Sequence, residues 1–327
     1  MQLKFKMPPM QNSCIRHDWS LQEIGDLFAL PFTKLLYRAM DTHQRYFSAK
    51  MLQLCYLVSI KTGGCKEDCA YCAQSCHYET GIKPLGLASI ETVVTAAKAI
   101  KSLEGERICL AAAWPSPSEK QFHQILEMIR AIKKIGLKIC LSIGMLTENQ
   151  AQSLRAAGID YYNHNLDTSP EYYKKIVSTR SYNDRIATIE RLRRAGIKIC
   201  CGGIIGMGET IDDRVGLLCQ LANLPEHPHS VPINHLIPIP GTPLKDTKNI
   251  DPFDFVRVIA VARILMPHSL ILLAGGRKMM SDELQALCFC AGANAICCGE
   301  KLLTAKNSPV AKDQQLLQRL GLYGVES

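Results

Sequence analysis

The sequence contains no apolar segment long enough to cross a membrane, which takes about 18–20 residues. The longest apolar runs cover residues 256–265 and 270–276, and Arg257 and Arg263 interrupt the first of them. Residues 1–19 also lack the apolar stretch of a secretory signal. These absences argue against a membrane or exported protein, and we expect a cytoplasmic location.

Aromatic residues are scarce, at 6%, and the chain has no block of five or six like charges. Proteins that bind nucleic acids usually combine a basic stripe with aromatic side chains. The net charge of +8 is instead spread along the chain. We therefore expect neither nucleic acid nor a membrane among the partners of this protein.

Cysteine is abundant by contrast, with fifteen residues in a chain of 327. Disulfide frameworks belong mainly to short secreted chains, whereas a chain of this length buries enough surface to fold without them. The default for a free cysteine is a small buried apolar residue. Any cysteine with another role must therefore stand out by its spacing or its position.

Short apolar runs alternate with amphipathic helical segments from residue 52 onward. The eight strand-like runs are 52–60, 107–113, 137–143, 159–163, 197–205, 231–237, 269–274 and 294–297. Eight repeated βα units predict an α/β fold that closes into a (β/α)₈ barrel, with an open doubly wound sheet as the alternative. We expect an N-terminal helical extension over residues 1–50, the barrel over 51–305 and a polar tail over 306–327.

The first cysteine set is Cys65, Cys69 and Cys72, directly after the first strand. In a barrel this loop lies at the C-terminal face, where active sites form. Three thiolates can hold three irons of a cubane cluster and leave the fourth iron open to a ligand. The alternatives are a closed site with Cys76 or His77 as fourth ligand, a zinc site, or a chance group of thiols.

The spacing Cys65-x-x-x-Cys69-x-Tyr71-Cys72 resembles the signature of the radical S-adenosylmethionine superfamily. The resemblance implies a [4Fe–4S] cluster whose open iron binds S-adenosylmethionine. It also implies that an electron from this cluster cleaves S-adenosylmethionine to a 5′-deoxyadenosyl radical.

A second cysteine set follows from strand periodicity. The pairs are Arg107 with Cys109, Lys138 with Cys140, and Lys198 with Cys200. Side chains two residues apart share a face of a strand, and the apolar residues between them suit the helix-facing side. Each basic residue and its cysteine are therefore predicted to point into the barrel. Thiolates near positive charge bind metal readily, so we expect a second cluster; the alternative is that cysteine only fills the interior.

The chain from about residue 52 to 304 resembles the biotin synthase family, and the most specific matching segments are 59–72, 161–171, 202–209 and 230–234. The resemblance implies a homodimeric radical enzyme that converts dethiobiotin to biotin with two S-adenosylmethionine molecules per product. The inserted sulfur would come from a [2Fe–2S] cluster on Cys109, Cys140 and Cys200. A flavodoxin- or ferredoxin-like one-electron donor and the iron–sulfur assembly machinery are the implied partners.

The resemblance also assigns binding residues. For S-adenosylmethionine they are Asn165, Asp167 and Arg185, with Tyr71, Ile204 and Ile237 around the adenine; for dethiobiotin they are Lys61, Asn163, Asn234 and Thr304. The residues support part of this set, because Asn163, Asn165 and Asp167 alternate along one strand end and share a face. Asp167 also precedes a Thr-Ser-Pro segment that reads as a helix start. Asn234 offers the donor and acceptor that a ureido ring requires.

One position departs from the family pattern. Leu272 stands where the family has an arginine that ligates the second cluster, and leucine cannot ligate iron. Cys55 and Cys297 are predicted to face the interior, and either one of them replaces that ligand or the cluster differs in type; Arg277 matches a different arginine. Another radical enzyme with the same barrel, or a non-catalytic zinc or cluster module, remains the alternative function.

The segment Gly206-x-Gly208-Glu209 superficially resembles a phosphate-binding loop. It lacks the full glycine, lysine and serine or threonine pattern of such loops. We therefore do not expect a nucleoside triphosphate to bind there.

Overall fold

The computed structural model describes residues 15–103, 105–299 and 301–324. The strands are β1 Met51–Lys61, β2 Arg107–Ala112, β3 Lys138–Ser142, β4 Tyr161–Asn163, β5 Lys198–Cys200, β6 Gly203–Ile205, β7 Ser230–His235, β8 Leu270–Leu273, β9 Ala295–Cys298, β10 Lys301–Leu302, β11 Ala305–Lys306 and β12 Tyr323–Gly324. The helices are α1 Leu21–Ala29, α2 Phe32–Tyr46, α3 Ile90–Ser102, α4 Glu119–Lys133, α5 Glu148–Ala156, α6 Pro170–Ile176, α7 Tyr182–Arg194, α8 Ile211–Ala222, α9 Pro252–Leu265, α10 Asp282–Cys290 and α11 Val310–Leu320.

The central sheet closes on itself because β1 pairs in parallel with both β2 and β9. Around the barrel the order is β1, β2, β3, β4, β5 with β6, β7, β8 and β9. The predicted (β/α)₈ barrel is therefore confirmed, and the open doubly wound sheet is wrong.

The fifth segment of the barrel differs from the single strand predicted over 197–205. It consists of β5 and β6, which both pair with β7 and are separated at Gly202. A Cβ at Gly202 would lie 2.0 Å from the carbonyl oxygen of Pro232, so only glycine allows this close approach. Pro232 also has no N–H to donate across the pair. The break is therefore dictated by the neighbouring strand.

The alternation predicted for β2 and β3 is observed. Ile108, Leu110, Ile139 and Leu141 are fully buried in the main core between strands and helices. The cysteines between them belong to a separate cluster inside the barrel. The two faces of these strands thus separate the packing core from the candidate site.

The terminal segments pack onto the barrel. Helices α1 and α2 lie against α8 and α9, and Ile24, Leu35 and Ala39 are fully buried there, as the predicted helical extension requires. At the other end, β12 pairs with the start of β1. Residues 1–14 and 325–327 of the predicted terminal segments lie outside the described residues, and the domain boundaries stay predictions.

Within the described residues, no helix is both long and apolar enough to cross a membrane.

Candidate active site

Both cysteine sets line one cavity of about 380 Å³. The cavity walls include Cys65, Cys69, Cys72, Cys109, Cys140 and Cys200. A cavity of this size is in the range of small-molecule sites in proteins. Both cysteine sets can therefore act on a ligand bound in this one cavity.

The loop after β1 turns sharply so that its thiols face the cavity. Gly63 and Gly64 have φ angles of 69° and 62°, a left-handed conformation that glycine adopts without strain. The backbone N–H of Gly63 donates to the Gln74 side chain at 3.1 Å. The N–H of Cys65 donates to the Gln74 carbonyl at 2.9 Å. The loop is thus closed by its own backbone.

Asp68 fixes this loop to the segment after α6. Its carboxylate accepts from the backbone N–H of Ser178 at 2.9 Å and of Thr179 at 3.2 Å, and from both hydroxyls. Burial tends to raise the pKa of Asp68, but these hydrogen bonds outweigh it and hold the pKa at about 2. The Ala70 N–H adds a bond to the Ile176 carbonyl at 2.9 Å.

The chemistry of the three loop thiols fits ligands of an iron–sulfur cluster. Cys65 and Cys69 are buried and Cys72 is half-buried. Burial raises the pKa of Cys69 to about 12 and of Cys72 to about 11, so these thiols are neutral until a metal replaces the proton. Cys76 is exposed, and His77 Nε2 lies 3.1 Å from the Lys66 carbonyl. This arrangement favours an open three-thiol site over a closed one.

A mononuclear zinc site is not supported. In the part of the chain that the structure describes, no three His, Cys, Asp or Glu side chains are arranged to hold one metal ion. Zinc needs its ligands converged on a single point, whereas the thiolates of an iron–sulfur cluster bind separate irons.

The interior set is assembled by strand register. Cys109 pairs with Cys140 across β2 and β3, and Asn163 pairs with Cys200 across β4 and β5. The Cys140 thiol interacts with the thiols of both Cys109 and Cys200, and burial raises its pKa to about 12. The three predicted thiols therefore meet inside the barrel.

The three basic residues that precede these cysteines were predicted to point into the barrel, and the structure shows this burial for one of them. Only Arg107 is buried, at 2% exposure, with its guanidinium 4.0 Å from the centre of the Tyr161 ring. Lys138 and Lys198 are exposed, and Lys138 Nζ lies 3.6 Å from a carboxylate oxygen of Glu106. Of these three basic residues, only Arg107 therefore lines the cavity.

Leu272 lies in a small buried cluster with Cys55 and Cys297. All three line the cavity, and Cys55 pairs directly with Cys297 across β1 and β9. The two predicted replacement thiols are therefore beside the leucine.

The residues assigned to S-adenosylmethionine also lie close together. Arg185 Nη2 is 2.5 Å from Asp167 Oδ2, and the Tyr71 hydroxyl donates to the same oxygen at 2.7 Å. Asn165 accepts from the Gly202 N–H at 3.2 Å.

Helix α6 is capped by Ser169, so the carboxylate of Asp167 is not its N-cap. Ile204 and Ile237 complete this part of the wall.

The residues assigned to dethiobiotin differ in whether they line the cavity and in whether their polar atoms are already hydrogen-bonded. Asn163 Oδ1 is buried without a hydrogen-bond partner among the described residues, whereas Asn234 already bridges the Gly203 carbonyl and the Gly275 N–H. Thr304 lines the cavity from the turn between β10 and β11. Lys61 does not line it: its Nζ donates to the carbonyls of Gly63 and, at 2.6 Å, Ala113.

Comparison with known proteins gives the family. Residues 59–220 match the Radical SAM superfamily, and residues 232–323 match the Biotin and Thiamin Synthesis associated domain. Biotin synthase of Marinobacter nauticus is 53% identical over 96% of this chain and 89% of its own length. Biotin synthase of Nitrosococcus oceani is 54% identical over 96% of this chain and 92% of its own length.

The chain belongs to the biotin synthase family.

Solved structures support the same fold. Methylornithine synthase superposes with a TM-score of 0.81 at 19% identity, covering 94% of each chain. The FeFe-hydrogenase maturase HydG of Carboxydothermus hydrogenoformans gives 0.80 at 22% identity, over 94% of this chain and 76% of its own. At these identities the likeness concerns the fold alone.

Two site features of this biotin synthase family member were missed by sequence reasoning. Glu209 accepts from the N–H groups of Gly206 at 2.9 Å and Met207 at 2.6 Å, and pairs with Arg214. The backbone N–H groups of Gly206 and Met207 are therefore occupied by a carboxylate and are not free to bind a phosphate. His164 lines the cavity with Nε2 unpartnered among the described residues, and no sequence motif marks it.

Proposed function

We propose that this chain converts dethiobiotin to biotin by radical insertion of sulfur, using two iron–sulfur clusters and two S-adenosylmethionine molecules per product. The observation that carries the proposal is that both cysteine sets face one cavity. Membership of the biotin synthase family supports the substrate and the reaction.

Cys65, Cys69 and Cys72 would hold the [4Fe–4S] cluster, and Cys109, Cys140 and Cys200 a [2Fe–2S] cluster. When bound, the first cluster supplies the electron that cleaves S-adenosylmethionine to the 5′-deoxyadenosyl radical, and the second supplies the sulfur atom. The thiols of both sets face the cavity, and the Cys140 thiol contacts those of Cys109 and Cys200. Both sets therefore offer soft ligands that release a proton when they bind iron.

Asp167 and Arg185 would hold S-adenosylmethionine. Both contacts of the Asp167 carboxylate use Oδ2, which leaves Oδ1 to accept from a ribose hydroxyl. Arg185 donates to Tyr173, Asn165 and Asp167, and its remaining N–H groups could bind the methionine carboxylate. Asn165 would add a polar contact, while Tyr71, Ile204 and Ile237 would enclose the adenine.

Asn163 would bind the ureido ring of dethiobiotin. Its buried Oδ1 lacks a donor among the described residues, and a ureido N–H would supply one. Asn234 and Thr304 would contact the same substrate from other parts of the wall. By family membership Lys61 would bind the substrate carboxylate; it does not line the cavity, and two of its three N–H groups donate to backbone carbonyls.

The apolar walls would serve the reaction by excluding water and fixing distance. A radical must reach one chosen C–H bond, so orientation contributes more than acid–base chemistry. No general acid or base is therefore required at the attacked carbon.

A homodimer, a flavodoxin- or ferredoxin-like electron donor and the iron–sulfur assembly machinery are the partners that we propose by family membership. Sedimentation of the reconstituted protein tests the dimer.

The test of the proposed function is anaerobic turnover of the reconstituted chain with dethiobiotin, S-adenosylmethionine and a one-electron reductant. We expect biotin and 5′-deoxyadenosine together, and neither from the Cys69→Ala variant. Cys290→Ala, which removes an exposed cysteine of α10, is the matched control and should keep both products. Cleavage of S-adenosylmethionine that is indifferent to dethiobiotin would point to another radical enzyme instead.

A further inference from the structure

The barrel interior contains two more thiols than the three assigned to the second cluster. Cys55 on β1 and Cys297 on β9 are 3% and 8% exposed. Both line the same cavity as the three assigned thiols. A lone cysteine is often a packing residue, but five inward thiols in one cavity are a concentrated set of soft ligands.

No arginine of β8 or of the following turn can serve this cluster. The inward residue of β8 is Leu272, which only packs against its neighbours. Arg277 Nη2 pairs with Asp313 at 2.7 Å, and Nη1 donates to the carbonyl oxygen of Cys297 at 2.8 Å. Its Nε also donates to Gln285 at 3.1 Å. Arg277 is therefore a structural residue that fixes α10 and α11 to the barrel.

Strand order separates the two candidate thiols. Strand β1 is the direct neighbour of β2, and Cys55 pairs in register with Arg107, two residues before Cys109. Cys297 lies one strand further away, on the other side of Cys55. Along this side of the barrel wall, Cys55 is therefore one strand from Cys109 and Cys297 is two strands from it.

Arg107 marks the centre of this group. It lines the same cavity as Cys55, Cys109, Cys140 and Cys200, and it pairs in register with Cys55. Its side chain donates only a long bond to Ser230, at 3.3 Å, and has no carboxylate partner among the described residues. Its partners are thus the face of the Tyr161 ring and one long hydrogen bond, neither of which carries a full negative charge, so the buried guanidinium favours an anion in the cavity.

We propose that Cys55 is the fourth thiolate ligand of the second cluster, beside Cys109, Cys140 and Cys200, and that Arg107 offsets the added negative charge. The inference rests on the proposed function and deepens it. Leu272 then closes the neighbouring wall without ligating iron, and Cys297 remains a packing residue.

The test uses the full chain carrying Cys65→Ala, Cys69→Ala and Cys72→Ala, so that after anaerobic reconstitution all bound iron belongs to the second cluster. Cys55→Ser is compared with the matched change Cys297→Ser in this parent. The readouts are iron and sulfide per chain and the ⁵⁷Fe Mössbauer spectrum. None of them depends on turnover.

We expect Cys55→Ser to lose more than roughly half of the bound iron, or to retain it with one iron site spectroscopically changed, because a ligand is missing. Cys297→Ser should match the parent. A Cys55→Ser variant with the parent's iron content and spectrum overturns the proposal, as does a loss confined to Cys297→Ser. If Cys55→Ser fails to fold without iron, Cys55→Ala replaces it, with circular dichroism as the check.

The parent itself separates this inference from the proposed function. If the parent binds no second cluster, the two-cluster function fails first. If the parent binds one and Cys55 is dispensable, only the fourth-ligand proposal fails.

Discussion

The two cysteine sets are built in opposite ways. Cys65, Cys69 and Cys72 come from one loop, closed by its own backbone and anchored through Asp68 to residues after α6. Cys109, Cys140 and Cys200 come from three different strands and meet only because the barrel closes in the correct register. The loop set is therefore a local structure, whereas the interior set is a property of the whole fold.

This difference has a functional consequence. Changes in the loop should affect the first cluster alone, while changes in strand register should affect the second cluster and the residues around S-adenosylmethionine together.

The largest effect is expected from Cys140→Ala. Cys140 is the interior thiol that interacts with both of its neighbours. Its loss should reduce biotin formation to background, while reductive cleavage of S-adenosylmethionine continues at the loop site. The measurement is the ratio of 5′-deoxyadenosine to biotin in anaerobic turnover. Loss of both products would contradict the separation of the two sites.

Arg185→Met should have the next largest effect, on stability. It would leave Asp167 buried without its cation, and breaking a buried pair in this way typically costs about 3–5 kcal/mol. The unfolding free energy is measured by anaerobic urea titration of the cluster-free protein. The paired variant Arg185→Met with Asp167→Asn should recover part of the loss. If Arg185→Met alone were as stable as the parent, Arg185 would not be compensating the buried charge of Asp167.

Gly202→Ala should perturb the interior set more than the loop set. The added Cβ would meet the Pro232 carbonyl at 2.0 Å and displace the junction of β5 and β6, at a cost of about 1–3 kcal/mol. We expect less iron in the second cluster and weaker S-adenosylmethionine binding, since Asn165 accepts from the Gly202 N–H.

The matched control for this change is Gly81→Ala. Gly81 has a positive φ of 73°, which Gly202 does not, but its added Cβ would meet nothing within 4 Å. Its effect should be limited to modest backbone strain in the loop region. Equal losses of second-cluster iron in both variants would argue against a register effect.

Cys76→Ala should have the smallest effect. Cys76 is exposed beside the loop set. If the first cluster has an open iron, iron content and S-adenosylmethionine cleavage should stay at the parent level. A loss of iron would revive the closed site with Cys76 as fourth ligand.

The sequence alone was sufficient to predict the parts of the site that depend on residue spacing within one loop or one strand. The spacing of Cys65, Cys69 and Cys72 predicted a loop set, and period-two alternation placed Cys109 and Cys140 on the interior face; the closed barrel itself is confirmed. Neither inference needed to know which strands are neighbours.

Contacts between distant segments were beyond prediction from residue patterns. The bond of Tyr71 to Asp167 joins a loop after β1 to one after β4, and only the folded chain brings them together. The break between β5 and β6 likewise depends on Pro232 in the neighbouring strand. Lys138 followed the same pattern as Arg107 and pairs with it in register, yet it reaches solvent, and the residue pattern alone does not distinguish the two.

The presence of two separate clusters in one cavity is tested most directly by ⁵⁷Fe Mössbauer spectroscopy of the anaerobically reconstituted chain, with and without S-adenosylmethionine. Two cluster signals are predicted; only one should shift when S-adenosylmethionine binds, and only that one should disappear in the Cys69→Ala variant. A single type of cluster, or a spectrum in which both signals respond alike, would contradict two separate centres in one cavity.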